Sequence, residues 1–272
     1  MSENDQGAPP PDPFIGLVNM VNVGHKYTNA PIIEATIDLR VSLPDEISLN
    51  SFSGLYPDLD EPGGFYQFVP VRENDQITAE STEQQGYRYV SKGQFAITAS
   101  LDRFSYSQLS KYSTWEDFVN QVEPRWEKYK EAANPTFITN VGVRYVNRIV
   151  IPKVCVEIND YLRTTVDISP YLPQAIERYF AQISFPIAAF GVDATVTTTM
   201  VAPPVPDATA LILDVDVTHE VALDPTADSF TEDLTAEFDV LRNAKNYVFE
   251  ACITDATRGV IDRGDNTTDS GA

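Results

Sequence analysis

The sequence predicts an α+β fold of two similarly organised halves, each an antiparallel strand meander followed by a long amphipathic helix. Three observations predict it. Short segments alternate apolar and polar residues between turn-forming residues, two longer stretches repeat their apolar residues at helical spacing, and the order of strands then helix occurs twice.

In the first half, Pro31 to Val41 alternates cleanly. Ile33, Ala35, Ile37, Leu39 and Val41 point one way and Glu34, Thr36, Asp38 and Arg40 the other, which is the pattern of a half-buried strand. A short helix is expected near Pro44 to Phe52, then a turn-rich stretch through Pro57 and Gly63-Gly64. Strand signals recur at Phe65 to Val71, Tyr87 to Val90, Phe95 to Ala99 and Phe104 to Tyr106, so a meander is the economical arrangement. Ser113 followed by Glu116 reads as a capping box. It opens a helix whose stripe is Trp115, Phe118, Val119, Val122, Trp126 and Tyr129. Pro124 should kink or divide that helix. After Asn134-Pro135 comes a strand over Phe137 to Ile151.

The second half repeats the plan without repeating the letters. Strands are expected at Tyr179 to Ile187, Val192 to Val201 and Ala210 to Val217. A helix follows, capped by Thr231, with Asp233 near its positive end and an apolar stripe of Leu234, Phe238, Leu241, Val248, Phe249 and Cys252. The predicted boundaries are a mobile tail over residues 1–13, halves over 14–155 and 156–262, and a second mobile tail over 263–272. The junction Tyr161 to Ala175 carries no clear signal.

The 272 residues are 43% hydrophobic, enough for a sizeable core, and hold 40 acidic against 19 basic residues, a formal net charge of -21. That balance opposes nonspecific binding to nucleic acid or an anionic membrane, which needs clustered Lys and Arg. It fits a solvating surface, or mimicry of a nucleic acid toward a basic partner. The longest apolar runs, such as Phe185 to Val192, are too short to cross a bilayer. The opening MSENDQGAPPPDP lacks the basic start and apolar stretch of a secretory signal, so a cytoplasmic setting is expected and the RGD at Arg263 is no adhesion signal. Cys155 and Cys252, far apart and without a CxxC partner, suggest neither a disulfide framework nor a zinc site and are expected to be buried.

Several segments resemble a sporadically distributed group of prokaryotic proteins of unassigned function. The marks are Pro31-Ile32-Ile33-Glu34-Ala35, Asp102-Arg103-Phe104 through Trp115-Glu116-Asp117-Phe118, and Gly142-Val143-Arg144-Tyr145-Val146-Asn147-Arg148-Ile149, the most specific. Leu213-Asp214-Val215-Asp216-Val217 and Val248-Phe249-Glu250-Ala251 leading to Ile253-Thr254-Asp255 add to them. The chain departs from the group in carrying Leu241-Arg242 where a Leu-His pair is expected. The resemblance implies an intracellular fold and brings no activity to transfer.

The strand around Arg144 is the leading site candidate. Gly142, Arg144, Val146, Arg148 and Val150 share one face, and Val143, Tyr145, Asn147, Ile149 and Ile151 the other. Arg144 and Arg148 are expected roughly 7 Å from each other, within reach of one phosphate or carboxylate. The alternative is that Glu34 and Asp38 neutralise them across the sheet. A weaker metal candidate is Asp214 and Asp216, with Thr218 on the same face and His219 and Glu220 at the strand's end; oxygen ligands of this kind suit magnesium, calcium or manganese. No cofactor is implied. With only His25 and His219, no G-x-S-x-G elbow and no phosphate-binding glycine loop, no catalytic residue is assigned and an enzyme is the less favoured class. The aromatics of the first helix read as its core stripe.

Two function classes follow. The first is a non-catalytic protein-interaction or regulatory subunit with a protein partner of basic character, motivated by the charge and by the patchy distribution of the resembled group, which suits a mobile defence or toxin-neutralising locus. The second is a binding module for an anionic small molecule at Arg144 and Arg148.

Overall fold

A computed structural model describes residues 25–60, 62–73, 76–109, 111–173 and 176–262; the predicted tails, 1–13 and 263–272, lie outside them. Five strands come first: β1 (Ile32–Ser42), β2 (Gly63–Glu73), β3 (Gln76–Ser91), β4 (Phe95–Ser100) and β5 (Arg103–Gln108), followed by helix α1 (Trp115–Ala133). Four more follow: β6 (Phe137–Ile151), β7 (Phe180–Ile187), β8 (Val192–Val201) and β9 (Thr209–Leu223), then α2 (Phe230–Cys252) and the short α3 (Asp255–Asp262). The fold is therefore α+β, with two strand groups each followed by a helix.

All nine strands join one antiparallel sheet in the order β2-β3-β4-β5-β1-β6-β9-β8-β7. The order is symmetric about its centre. In each group the first strand pairs with the last, β1 with β5 and β6 with β9, and the rest step outward as a meander. The groups meet where β1 runs antiparallel to β6, with Ile37 opposite Val143 and Leu39 opposite Val141. The strand Phe137–Ile151, assigned on the sequence to the close of the first half, thus holds in the second group the place that β1 holds in the first.

One face of the sheet carries the core, because strict alternation puts Ile37 and Leu39, Val143 and Tyr145, and Leu213 and Val215 on the same side, all essentially inaccessible to solvent. Both long helices cover that face with their apolar stripes, Phe118, Val122, Trp126 and Tyr129 from α1, and Phe238, Leu241, Ala244 and Val248 from α2. They lie side by side through edge contacts of Trp115 with Phe238 and tilted packing of Trp126 on Phe230. Among the described residues, no helix is long and apolar enough to cross a membrane.

Local chemistry shifts several expected elements. Pro124 leaves α1 undivided; it is exposed, so the carbonyl it strands one turn earlier faces water. The cap of α1 is Thr114, whose hydroxyl accepts the Asp117 N–H at 3.1 Å, one residue later than the expected Ser113. Its far end is closed by Asn134 in the left-handed region (φ 43°), with its N–H donating to the Lys130 carbonyl. Thr231 lies inside α2, which begins at Phe230 with Ser229 at the cap position. The helix expected near Pro44 to Phe52 is one 3-10 turn over Leu49–Phe52, and Gly63-Gly64 opens β2 instead of forming a turn. Strand β9 runs on to Leu223, so His219 and Glu220 are within it. Cys252 is buried as expected, but Cys155 is exposed in the irregular stretch after β6.

Candidate functional site

The sheet face without helices carries the residues singled out from the sequence. Arg144 and Arg148 do share it, both exposed. The expected 7 Å spacing is not possible: four strand residues at ~3.3 Å each separate their Cα atoms by about 13 Å. The expected pairing with Glu34 and Asp38 is also corrected. Arg144 donates from Nε and Nη2 to the Asp214 carboxylate at 2.9 and 2.6 Å, a two-pronged bond. Asp38 instead faces Arg103 at 3.8 Å, and Glu34 accepts the Thr36 hydroxyl at 3.3 Å. The register explains the choice. Arg144 stands opposite Thr36 on one side and Asp216 on the other, so every acidic partner but Asp216 is a diagonal neighbour, and its side chain takes Asp214.

Asp214 and Asp216 project from the same face of β9, as the alternation requires. Asp214 is held by Arg144. The Asp216 carboxyl is pushed up to about 6 by desolvation, which outweighs the opposing pull of Arg144. His219 lies elsewhere, its Nδ1 2.6 Å from Glu237 of α2. Among the described residues, no three His, Cys, Asp or Glu side chains converge on a point where a metal could sit.

The other side of the same strand holds a built cavity of about 710 Å³. Its floor is β6, where Tyr145 and Asn147 occupy core-facing positions. One wall is α2, with Arg242, Lys245, Asn246 and Phe249, and another is the approach to α1, from Lys111 to Glu116. A strap, His25 to Pro31, passes along the rim. The strap is pinned: the Asn29 N–H donates to the Ile261 carbonyl at 3.0 Å and the Arg148 N–H to the Pro31 carbonyl at 2.8 Å. Between these ends the Tyr27 hydroxyl donates to the buried Glu250 carboxylate, which also accepts from Arg258 at 2.8 and 3.1 Å. Burial and that carboxylate hold the Tyr27 phenol far above its ordinary value.

Among the described lysines and arginines, Lys245 is shifted furthest from its ordinary value. It sits on the core side of α2, one step from Ala244, with its ammonium 3.8 Å from the centre of the Tyr145 ring. Part of its surface faces the cavity, yet protein encloses it elsewhere, and desolvation with the neighbouring Arg242 pushes the amine down to about 7. Among the described residues no carboxylate forms an ion pair with it. The Tyr145 ring face partly substitutes for a counter-charge. Tyr145 donates its hydroxyl to that of Tyr112 at 2.8 Å, and burial keeps both phenols protonated. Asn147 is buried and donates to the carbonyls of Leu213 and Tyr145 at 3.1 and 3.3 Å, which fixes its amide at the floor. Arg242 packs over Trp115 and meets Glu116 at 3.1 Å.

The lining thus brings Lys26, Lys111, Arg242 and Lys245 against Glu116 and Glu250, and Glu250 is already held by Arg258 and Tyr27. Around this space a strongly acidic chain is locally cationic. None of these residues was singled out as a site from the sequence, although a signal existed. The stripe of α2 runs 234, 238, 241, 248 and 252, and the spacing of four then three puts position 245 on it, where an apolar residue belongs and a lysine stands. Asn147 on the inward face of β6 is a second mark of the same kind. Comparison of the chain with protein families, with curated proteins and with solved structures gives no match, so the cavity is interpreted through its own chemistry.

Proposed function

We propose that the protein is a binding module for a small anionic molecule, held in the cavity between β6, α2 and the strap. The observation that carries this is Lys245, a partly buried amine on the cavity wall that forms no ion pair with a carboxylate among the described residues. Leaving a cation so placed opposes folding, and a bound anion removes the penalty by supplying the missing charge. Lys26 and Lys111 at the rim add attraction for the ligand, and the aromatic walls, Tyr112, Trp115 and Phe249, offer apolar contact to its body. The ligand class is that of the second function class read from the sequence, while the residues are different.

Thermal unfolding in the presence of orthophosphate, nucleoside monophosphates, sugar phosphates and dicarboxylates tests the reading. At 100 times its Kd a ligand adds about 2.7 kcal/mol, a rise of several degrees. The rise is expected in the wild type and in Arg144→Ala, and is expected to vanish in Lys245→Met and shrink in Arg242→Ala. Equal responses from all four proteins would overturn it.

A second reading, a regulatory subunit that contacts a basic protein, is favoured by the net charge of -21. The exposed apolar side chains Phe180 and Ile183 on the edge strand β7 offer such a contact an apolar part. A stoichiometric partner that co-purifies at moderate salt and is lost at high salt supports it.

A further inference from the structure

We propose that Lys245 captures aldehydes or ketones bearing a carboxylate or phosphate, forming an imine within the cavity. The inference rests on the reading of that cavity as an anion site and adds a covalent step to it. Three features of the geometry point to this chemistry. The amine lines the cavity and lies on an aromatic face, and among the described residues no carboxylate forms an ion pair that would hold its proton in place. Near neutral pH about half of it is therefore the free base, the form that attacks carbonyl carbon. Arg242, one turn earlier on α2 and paired with the exposed Glu116, and Lys111 line the same cavity and supply positive charge for the anionic end of a short molecule.

The third feature is the phenol pair. Tyr145 spends its proton on the Tyr112 oxygen, so the Tyr112 proton is free to be donated in turn, and Tyr112 lines the cavity. The step balances without an oxidant or reductant. The nitrogen lone pair of Lys245 forms the C–N bond while the carbonyl π bond breaks, and a proton passes from nitrogen to the new alkoxide through the phenols, giving a carbinolamine. The hydroxyl then leaves as water with a second proton from nitrogen, relayed by the same pair. Amine and carbonyl have become imine and water.

Glyoxylate, a carboxylate-bearing aldehyde, serves as the probe. The full-length protein is incubated with it and cyanoborohydride, and the reduced adduct is located by peptide mass mapping. Modification of Lys245 at least tenfold faster than of the exposed Lys92 and Lys153 is the expected result, with inorganic phosphate slowing Lys245 alone. The rate at Lys245 should reach half its maximum near pH 7, against ~10 for an ordinary lysine. That profile is read on the wild type and needs no folded variant; Lys245→Arg, which retains the charge, should lose the adduct. Uniform labelling of all lysines together with a Lys245-dependent thermal shift by phosphate overturns the imine and leaves the anion site standing. Uniform labelling with no phosphate effect removes both.

Discussion

Strand β6 presents a cation to each side of the sheet, Arg144 directly and Lys245 through its contact with Tyr145, and the two meet opposite circumstances. Arg144 is 47% exposed and locked two-pronged to Asp214. Lys245 is partly buried on an aromatic ring and, among the described residues, has no ion pair. In a chain with twice as many acids as bases, the Arg144 guanidinium has Asp216 opposite it and Glu34, Asp38 and Asp214 on diagonals, and its charge is spent. Behind the helices the two carboxylates that line the cavity, Glu116 and Glu250, are already held by Arg242 and Arg258. What marks a site is thus where the counter-charges are missing, and this difference can be broken or sharpened by substitution.

The largest effect should come from Glu250, the buried carboxylate that ties Arg258 and the Tyr27 strap together. Removing Glu250 leaves the Arg258 guanidinium with only the exposed Asp255, 2.8 Å away, takes the acceptor from the Tyr27 hydroxyl, and costs about 3 kcal/mol. Glu250→Ala is expected to lower the thermal midpoint by roughly 6–12 °C, and to raise amide exchange over residues 25–31 in the fraction that folds. A midpoint within a degree of wild type would mean that the cluster does not secure the strap.

Lys245→Met should go the other way. The folded protein holds this amine near 7 and the unfolded chain near ~10.4, so the penalty is complete below pH 7 and fades as the pH rises toward ~10. Because part of the side chain meets solvent, the gain is about 2 kcal/mol at pH 6 and close to nothing at pH 10. Urea unfolding at the two pH values measures it, and a variant destabilised at both would show that the lysine is a structural prop. Asp216→Asn is the matching test on the open face. Its carboxyl stands near 6 against ~3.9 unfolded, so the penalty exists above pH 6 and is gone below pH 4. A gain of about 1 kcal/mol at pH 7.5 that disappears toward pH 4 is expected.

Much of this fold was legible because alternation and helical spacing are local. Pro31 to Val41 and Phe137 to Ile151 state their own faces, and both helices announce their stripes. Less legible was whatever depends on partners across the sheet. The alternative that set Glu34 and Asp38 against Arg144 already put β1 beside β6, but that Asp214 and not Glu34 reaches Arg144 follows from a register no single strand encodes. The cavity is a case between these. Lys245 and Asn147 break the apolar pattern of their own elements, which a reading of exceptions detects. That Tyr112, the strap and Arg242 close around them is a product of tertiary packing alone.

The smallest expected change is the one that best isolates the comparison. Arg144→Ala removes an exposed guanidinium and leaves Asp214, only 13% exposed, without its partner. A surface pair of this kind is worth at most about 1 kcal/mol, and Asp214 can turn toward water. Stability should fall by about 0.5–1 kcal/mol, less at high salt, while the thermal response to phosphate and the labelling by glyoxylate stay as in the wild type. If phosphate stabilisation were lost in this variant and kept in Lys245→Met, the anion would belong to the open face of β6, and the cavity behind it would be packing.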